Sequence, residues 1–188
     1  MNTSVKGAAI LCLLTVLAGC VIRVTPDAGR GAPVSLDRPT VGNGMIVGFI
    51  DDTNSEGKIS YVTIWDTQPR ARTGSKGLPI RMLEDGTFVA ENVPPGQYFV
   101  PRLASKKWVA SITNRDVLQP FEVRAGQVRY WGAYAVDFKD GSDMLRMPAR
   151  VTVSTSTRMN KRQVLQKVLS VARGSGWEAA LNKELGNR

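Results

Sequence analysis

From Met45 onward the apolar positions fall into short bursts separated by turn-forming residues. MIVGFI (45–50) is an apolar run, and KISYVTIW (58–65) alternates so that Ile59, Tyr61 and Trp65 share one face. LPIRML, then Asp85-Gly86, then TFVA reads as a hairpin, because an Asp-Gly pair tolerates positive φ. YFVPRL (98–103), KWVASI (107–112) and PFEVR (120–124) follow as further short strands. VRYWGAYAV (128–136), after Ala125-Gly126, puts Val128, Tyr130, Gly132, Tyr134 and Val136 on one face and Trp131 on the other. MLRM and RVTVS are expected to add two more strands. Strands at about ten-residue spacing with turns between them predict a mainly β sandwich rather than a helical or βαβ fold.

After the last strand the period changes. In NKRQVLQKVLSVARG, Val164, Leu165, Val168, Leu169, Val171 and Ala172 follow helical spacing. Asn160 is the expected N-cap with Gln163 three residues on, and Gly174 the stop. Ser175-Gly176-Trp177-Glu178 reads as a second capping box, opening a short helix with Trp177, Leu181 and Leu185 on one stripe. Each helix has an apolar face and a basic face. Two uses fit that layout: packing against the sandwich, or docking to a partner or a membrane surface.

The stretch DGTFVAENVPPGQYFV (85–100) resembles the Gly-x-Phe…Asn-x-Pro-Pro-Gly-x-Tyr segment of carboxypeptidase regulatory-like domains, a branch of the transthyretin-like (prealbumin-like) sandwiches. Gly48 and the turn from Asp51 to Lys58 sit where that family has its opening element. The local chemistry agrees, since Pro94-Pro95 cannot continue a ladder and Gly96 permits a tight turn. The resemblance runs from about 45 to 136 and implies a transthyretin-like antiparallel β-sandwich with a short C-terminal helical extension. It makes Phe88 and Tyr98 core residues, and it carries no catalytic residues, since such modules serve as scaffolds or binding accessories.

The N-terminus obeys another rule. Lys6 precedes an apolar run from Ala8 to Ala18, about half the length that a helix needs to cross a bilayer. A basic start, an apolar middle and a small-residue end make a secretory signal. Leu17-Ala18-Gly19-Cys20 resembles the lipobox of bacterial lipoproteins. That resemblance implies cleavage before Cys20, lipid on its thiol and acylation of the new amino group. With Val21 and Ile22 after the cysteine rather than Asp, it also implies export to the outer membrane. The expected organisation is a signal peptide over 1–19, a lipidated N-terminus and Pro/Gly-rich tether over 20–43, a sandwich over 44–154 and a basic helical extension over 155–188.

Composition narrows the chemistry. Of two cysteines, Cys12 leaves with the signal and Cys20 carries lipid, so the mature monomer has no disulfide. The absence of histidine removes Ser-His and Cys-His nucleophile pairs and histidine-based zinc sites. A carboxylate pair or a Ser-Lys dyad remains possible, but no spacing singles one out. No cofactor is expected, and neither enzymatic activity nor a nucleic-acid partner. The formal charge is +9, and the excess gathers at the C-terminus, where residues 144–188 hold nine Lys/Arg against Glu178 and Glu184. Such a stripe serves an anionic membrane or an acidic partner, or simply faces solvent.

Candidate binding cations are Arg70, Arg72 and Lys76 in the loop PRARTGSKG (69–77), with Arg158, Lys161 and Arg162 at the helical extension. Asp52-Thr53-Asn54-Ser55-Glu56-Gly57 begins like a calcium loop, but Thr63 stands where the bidentate Glu belongs, so a turn is expected. Gly74-Ser75-Lys76-Gly77 lacks the order and the strand-to-helix setting of a phosphate loop. Trp65, Trp108, Trp131, Tyr130 and Tyr134 suggest a sugar-stacking platform, or simply core. The expected function is a membrane-anchored, non-enzymatic envelope scaffold or adaptor for a protein partner. The alternative is a binding module for an anionic glycan or lipid such as lipopolysaccharide. Small sandwich lipoproteins of type VI secretion systems share the expected architecture at the level of fold.

Overall fold

The apolar run becomes β1 (Gly44–Asp51), the central strand of a five-stranded sheet, in a computed structural model that describes residues 35–186 apart from 56, 68–77, 79, 106–108 and 140–149. Its sheet has the order β3 (Arg81–Met82), β4 (Thr87–Val93), β1, β8 (Val128–Lys139) and β9 (Arg150–Thr155). All neighbours in this sheet are antiparallel except β1 and β8, which run parallel. The second sheet centres on β5 (Gly96–Ala104), with β2 (Tyr61–Asp66) along one edge and β6 (Val109–Ser111) and β7 (Phe121–Val123) on the other. The two sheets face each other over a shared core of Ile46, Ile50, Val62, Ile64, Phe88, Tyr98, Val100, Leu103 and Trp131. This is a β-sandwich. MLRM and Trp108 lie outside the described residues.

A third layer explains why β1 is apolar on both sides. Helices α1 (Lys161–Val171) and α2 (Glu178–Leu185) lie on the outer face of the five-stranded sheet. Met45, Val47, Val89 and Val128 meet Leu165, Val168, Ala172, Trp177 and Leu181 there in a second core. Each such side chain, taken fully out of water, contributes about 1.5–3 kcal/mol. The apolar faces of the helices are therefore spent within the molecule. Helix α1 starts with the expected capping box: Asn160 Oδ1 accepts from Gln163 N, and Gln163 Oε1 accepts from Asn160 N. The second box does not form as expected. Trp177 occupies the N-cap, while Ser175 Oγ accepts from Trp177 N and Glu178 reaches back to Gly174 N.

Two strand readings change in three dimensions. In β2 both parities are apolar, and Val62 and Ile64 face the core while Tyr61 and Trp65 point outward. In β8 a bulge falls at Trp131, because Val47 pairs with Tyr130 but Gly48 pairs with Gly132. The extra residue reverses the phase of the strand. Val128 and Tyr130 face the helices, whereas Trp131, Tyr134 and Val136 all face the sheet-to-sheet core. Trp131 and Tyr134 therefore touch, with ring centroids 4.5 Å apart, and Phe88 lies 5.5 Å from Trp131 on the other side. Two glycines make room for this three-ring row. A Cβ on Gly48 would lie 2.5 Å from Phe88, and one on Gly132 would lie 2.5 Å from Tyr134.

Asp85-Gly86 forms the expected hairpin turn, with Gly86 at φ 97° and Asp85 Oδ1 accepting from Thr87 N. Pro94-Pro95 then carries the chain from one sheet to the other, and the Tyr98 hydroxyl donates to Pro94 O at 2.8 Å to close the corner. Phe88 and Tyr98 are core residues.

The expected tether ends earlier than position 43. Leu36 is buried in the helix-side core, and residues 35–43 lie against the domain as a strap. Asp37 N donates to Glu91 Oε2, and Asp37 also pairs with Arg81, which bonds Glu91 Oε1 at 2.7 Å. Burial pushes the Glu91 carboxyl above its ordinary value, against the pull of Arg81. Asn92 clasps the strap from a left-handed conformation (φ 55°), which Asn adopts more readily than most residues. Its Oδ1 accepts from Thr40 N, its Nδ2 donates to Arg38 O, and its backbone oxygen accepts from Asn43 Nδ2.

Candidate functional site

One sheet is covered by helices, and among the described residues the outer face of the other sheet is left open. Alternation and register assign its residues. Tyr61, Thr63 and Trp65 of β2 point out because Val62 and Ile64 point in. Across the pairing, Trp65 lies beside Phe99, Thr63 beside Arg102, and Tyr61 beside Ala104. Beyond β5, Arg102 pairs with Ser111 and Ala104 with Val109. The register slips between Thr63 and Trp65, where β5 has one residue more, so Phe99 and Arg102 reach the same face.

The resulting patch is aromatic with a cation at its centre. Trp65 and Phe99 meet edge to face, with centroids 6.1 Å apart and planes at 86°. The Arg102 guanidinium sits 5.2 Å above the Trp65 ring, a contact that holds the arginine flat on the sheet. Trp65, Phe99 and Arg102 are all partly exposed, and Val109 is 63% exposed. Arg102 makes no ion pair among the described residues. Trp, Tyr and Arg are the side chains enriched at the energetic centres of protein interfaces, where rigid aromatic area is desolvated at little entropic cost.

The predicted site residues are distributed differently. Cys20, Arg70, Arg72 and Lys76 lie outside the described residues. Arg158 is exposed but already paired, its Nη1 3.2 Å from Asp51 Oδ1 and also bonded to Thr53 Oγ1. Burial raises the Asp51 carboxyl, but hydrogen bonds from Thr53 and Arg158 and the Arg158 charge outweigh it and hold Asp51 below its ordinary value. Lys161 pairs with Glu184 across the two helices. Arg162 is exposed and has no ion pair among the described residues. The three C-terminal cations therefore form no single cluster.

The calcium-like loop is used internally. Asp52 is buried, accepts from Ile59 N at 2.7 Å and lies 3.7 Å from Lys58 Nζ. Ser55 Oγ donates to Val136 O and accepts from Phe138 N, tying the loop to β8. Among the described residues no three His, Cys, Asp or Glu side chains converge as a metal site. The aromatic platform of the sequence also dissolves, with Trp131 in the core and Tyr130 and Tyr134 half-buried on opposite sides of the sheet. Phe99 and Arg102 were missed because the slip that brings them beside Trp65 is visible only once β2 and β5 are paired.

Among the described residues no helix is long and apolar enough to cross a membrane. No family model matches the chain, and no curated protein matches it.

Proposed function

We propose that the chain is a lipid-anchored envelope protein that acts as a non-enzymatic adaptor, engaging a protein partner through the open face of the smaller sheet. The observation that carries this reading is the cluster of Trp65, Phe99 and Arg102 on the outer face of the smaller sheet, where among the described residues Arg102 has no ion pair and nothing covers the face. The partner is a protein surface that places a carboxylate or carbonyl oxygens against Arg102 and apolar side chains around Trp65 and Val109. An interface of ordinary size needs about 20–30 residues per side, so this patch supplies its centre and the sheet edges its rim.

The anchor rests on Leu17-Ala18-Gly19-Cys20, and outer-membrane placement on Val21 and Ile22. Membership of the transthyretin-like branch is supported by the Asn92–Tyr98 corner and by Gly48 beneath Phe88. Between a lipid-bearing Cys20 and Leu36, the first buried residue among those described, the chain can span at most about 55 Å, which bounds how far the domain can stand from the lipid.

The test is a photo-crosslinking residue at position 109 of the full chain in intact cells, with position 162 on the helix layer as control. The expected result is one protein adduct at 109 and not at 162, lost in Trp65→Ala and Arg102→Glu variants of unchanged melting temperature. Adducts with lipid or glycan alone, or a protein adduct indifferent to both substitutions, would refute the adaptor reading. For the anchor, labelled palmitate is expected in the parent chain and absent from Cys20→Ala.

A further inference from the structure

At the end of the molecule where the turn between β7 and β8 approaches the helices, a groove of about 380 Å³ opens between them. Its charged walls are Glu122, Arg124, Arg129, Lys161, Lys183 and Glu184. The two carboxylates are already engaged, Glu122 by Arg124 at 2.7 Å and Glu184 by Lys161. Arg129 and Lys183 have no ion-pair partner among the described residues, and Arg129 is set 5.9 Å from the Phe121 ring. The groove therefore carries two uncompensated positive charges facing one cavity.

Other groups point the same way. Lys161 is the first residue of α1, whose first turn contains no acidic residue, so the positive end of the helix dipole adds to the cations. Glu122, although exposed, is held below its ordinary value, chiefly by the hydrogen bond from Arg124 and further by the charges of Arg124 and Arg129. Burial raises the Tyr130 phenol, which stays a hydroxyl donor on the groove wall at neutral pH.

We infer that this groove binds the phosphate of a phosphomonoester, with Arg129 and Lys183 as the groups that contact it. A phosphomonoester carries about −1.5 to −2 charge at neutral pH, matching the two unpaired cations. A volume near the small end of ligand sites admits the phosphate with a substituent of about sugar size. Arginine supplies a planar fork for two phosphate oxygens, and lysine a mobile point charge. The groove borrows Glu122 from the smaller sheet, but the two cations that would contact phosphate, Arg129 on β8 and Lys183 on α2, belong to the other sheet and its helix layer.

The same chemistry occurs on a soluble sugar phosphate and on a lipid headgroup, and two probes separate them. The full chain carrying Cys20→Ala is titrated with glucose 6-phosphate against glucose. It is also titrated with phosphatidylcholine vesicles with and without phosphatidic acid. Binding of glucose 6-phosphate but not glucose assigns a soluble phosphoester; selective binding to phosphatidic acid vesicles alone assigns a headgroup. In either case affinity is expected to fall at least about tenfold in Arg129→Gln/Lys183→Gln, and to weaken with salt. It is expected to hold in Arg173→Gln, at the far end of α1. Thermal unfolding checks each variant, and Lys183→Gln alone, at an exposed site, serves if the double variant does not fold. No binding to either probe, or equal loss in Arg173→Gln, would overturn the inference.

Discussion

Gly48→Ala measures how tightly the row of rings is set into the sandwich. The added Cβ would lie 2.5 and 2.6 Å from two ring carbons of Phe88 and 3.1 Å from Trp131. Carbon pairs settle at about 3.5–4.0 Å, so the Phe88 ring must retreat by roughly 1 Å. It has nowhere easy to go, being fully buried and backed by Trp131, which is itself backed by Tyr134. Two effects oppose each other. Replacing a strand glycine with alanine ordinarily gains about 0.5–1 kcal/mol, because glycine loses more freedom on folding. Overpacking a filled core costs about 1–3 kcal/mol. The clash wins, and a net loss of about 1–2 kcal/mol is expected, lowering the melting temperature by about 2–8 °C for a chain of this size. Urea and thermal unfolding followed by tryptophan fluorescence give both quantities. Phe88→Leu added to Gly48→Ala removes the obstructing ring atoms, so a double-mutant cycle should show a coupling of about 1 kcal/mol in the direction of rescue. A Gly48→Ala variant as stable as the parent or more so, or strict additivity with Phe88→Leu, would refute the packing argument.

Three further outcomes are expected. Asn160→Ala removes the side-chain half of the α1 capping box, the bond from Gln163 N to Asn160 Oδ1, and should cost about 1 kcal/mol in thermal unfolding, while Asn160→Asp should retain most of it. Leu36→Ala empties a buried position in the helix-side core and should cost about 2–3 kcal/mol in urea unfolding, whereas a strap that contributes nothing would leave the midpoint unmoved. Asp51 has a folded value below its unfolded one, so it adds stability above about pH 4 that is lost as pH falls through the folded value; an acid titration of Asp51→Asn should lack that part of the decline.

Much of the fold was legible because its signals are local. The Asp85-Gly86 turn, the Asn160–Gln163 box and the strand bursts are each set by residues a few positions apart. What escaped depends on a second segment. KISYVTIW is apolar at both parities, and only packing against the facing sheet decides that Val62 and Ile64 point inward. The bulge at Trp131 is a mismatch between β8 and β1 and leaves no mark in β8 alone. Strap residues 35–43 have loop composition, yet Asn92 clasps them from across the chain. The candidate cations fared likewise. Arg158 and Lys161 look free in sequence, but their carboxylate partners, Asp51 and Glu184, are brought to them by folding.

The parallel pairing of β1 with β8 sets the order in which the chain can mature. Met45 waits for Val128, about 80 residues further on, before the middle of the main sheet closes. Closing so long a loop is slow, because its entropy is lost before the contacts that repay it form. The back of β1 waits longer still, for Leu165, Val168 and Leu181. Throughout synthesis, a strand that is apolar on both faces is the one completed last. A chain that stops at residue 155 would leave Met45, Val47, Val89 and Val128 without their helical cover, with Leu36 as the remaining member of that core. The C-terminal helices thus act as the molecule's solubility seal, and truncations there should appear first as aggregation rather than as loss of binding.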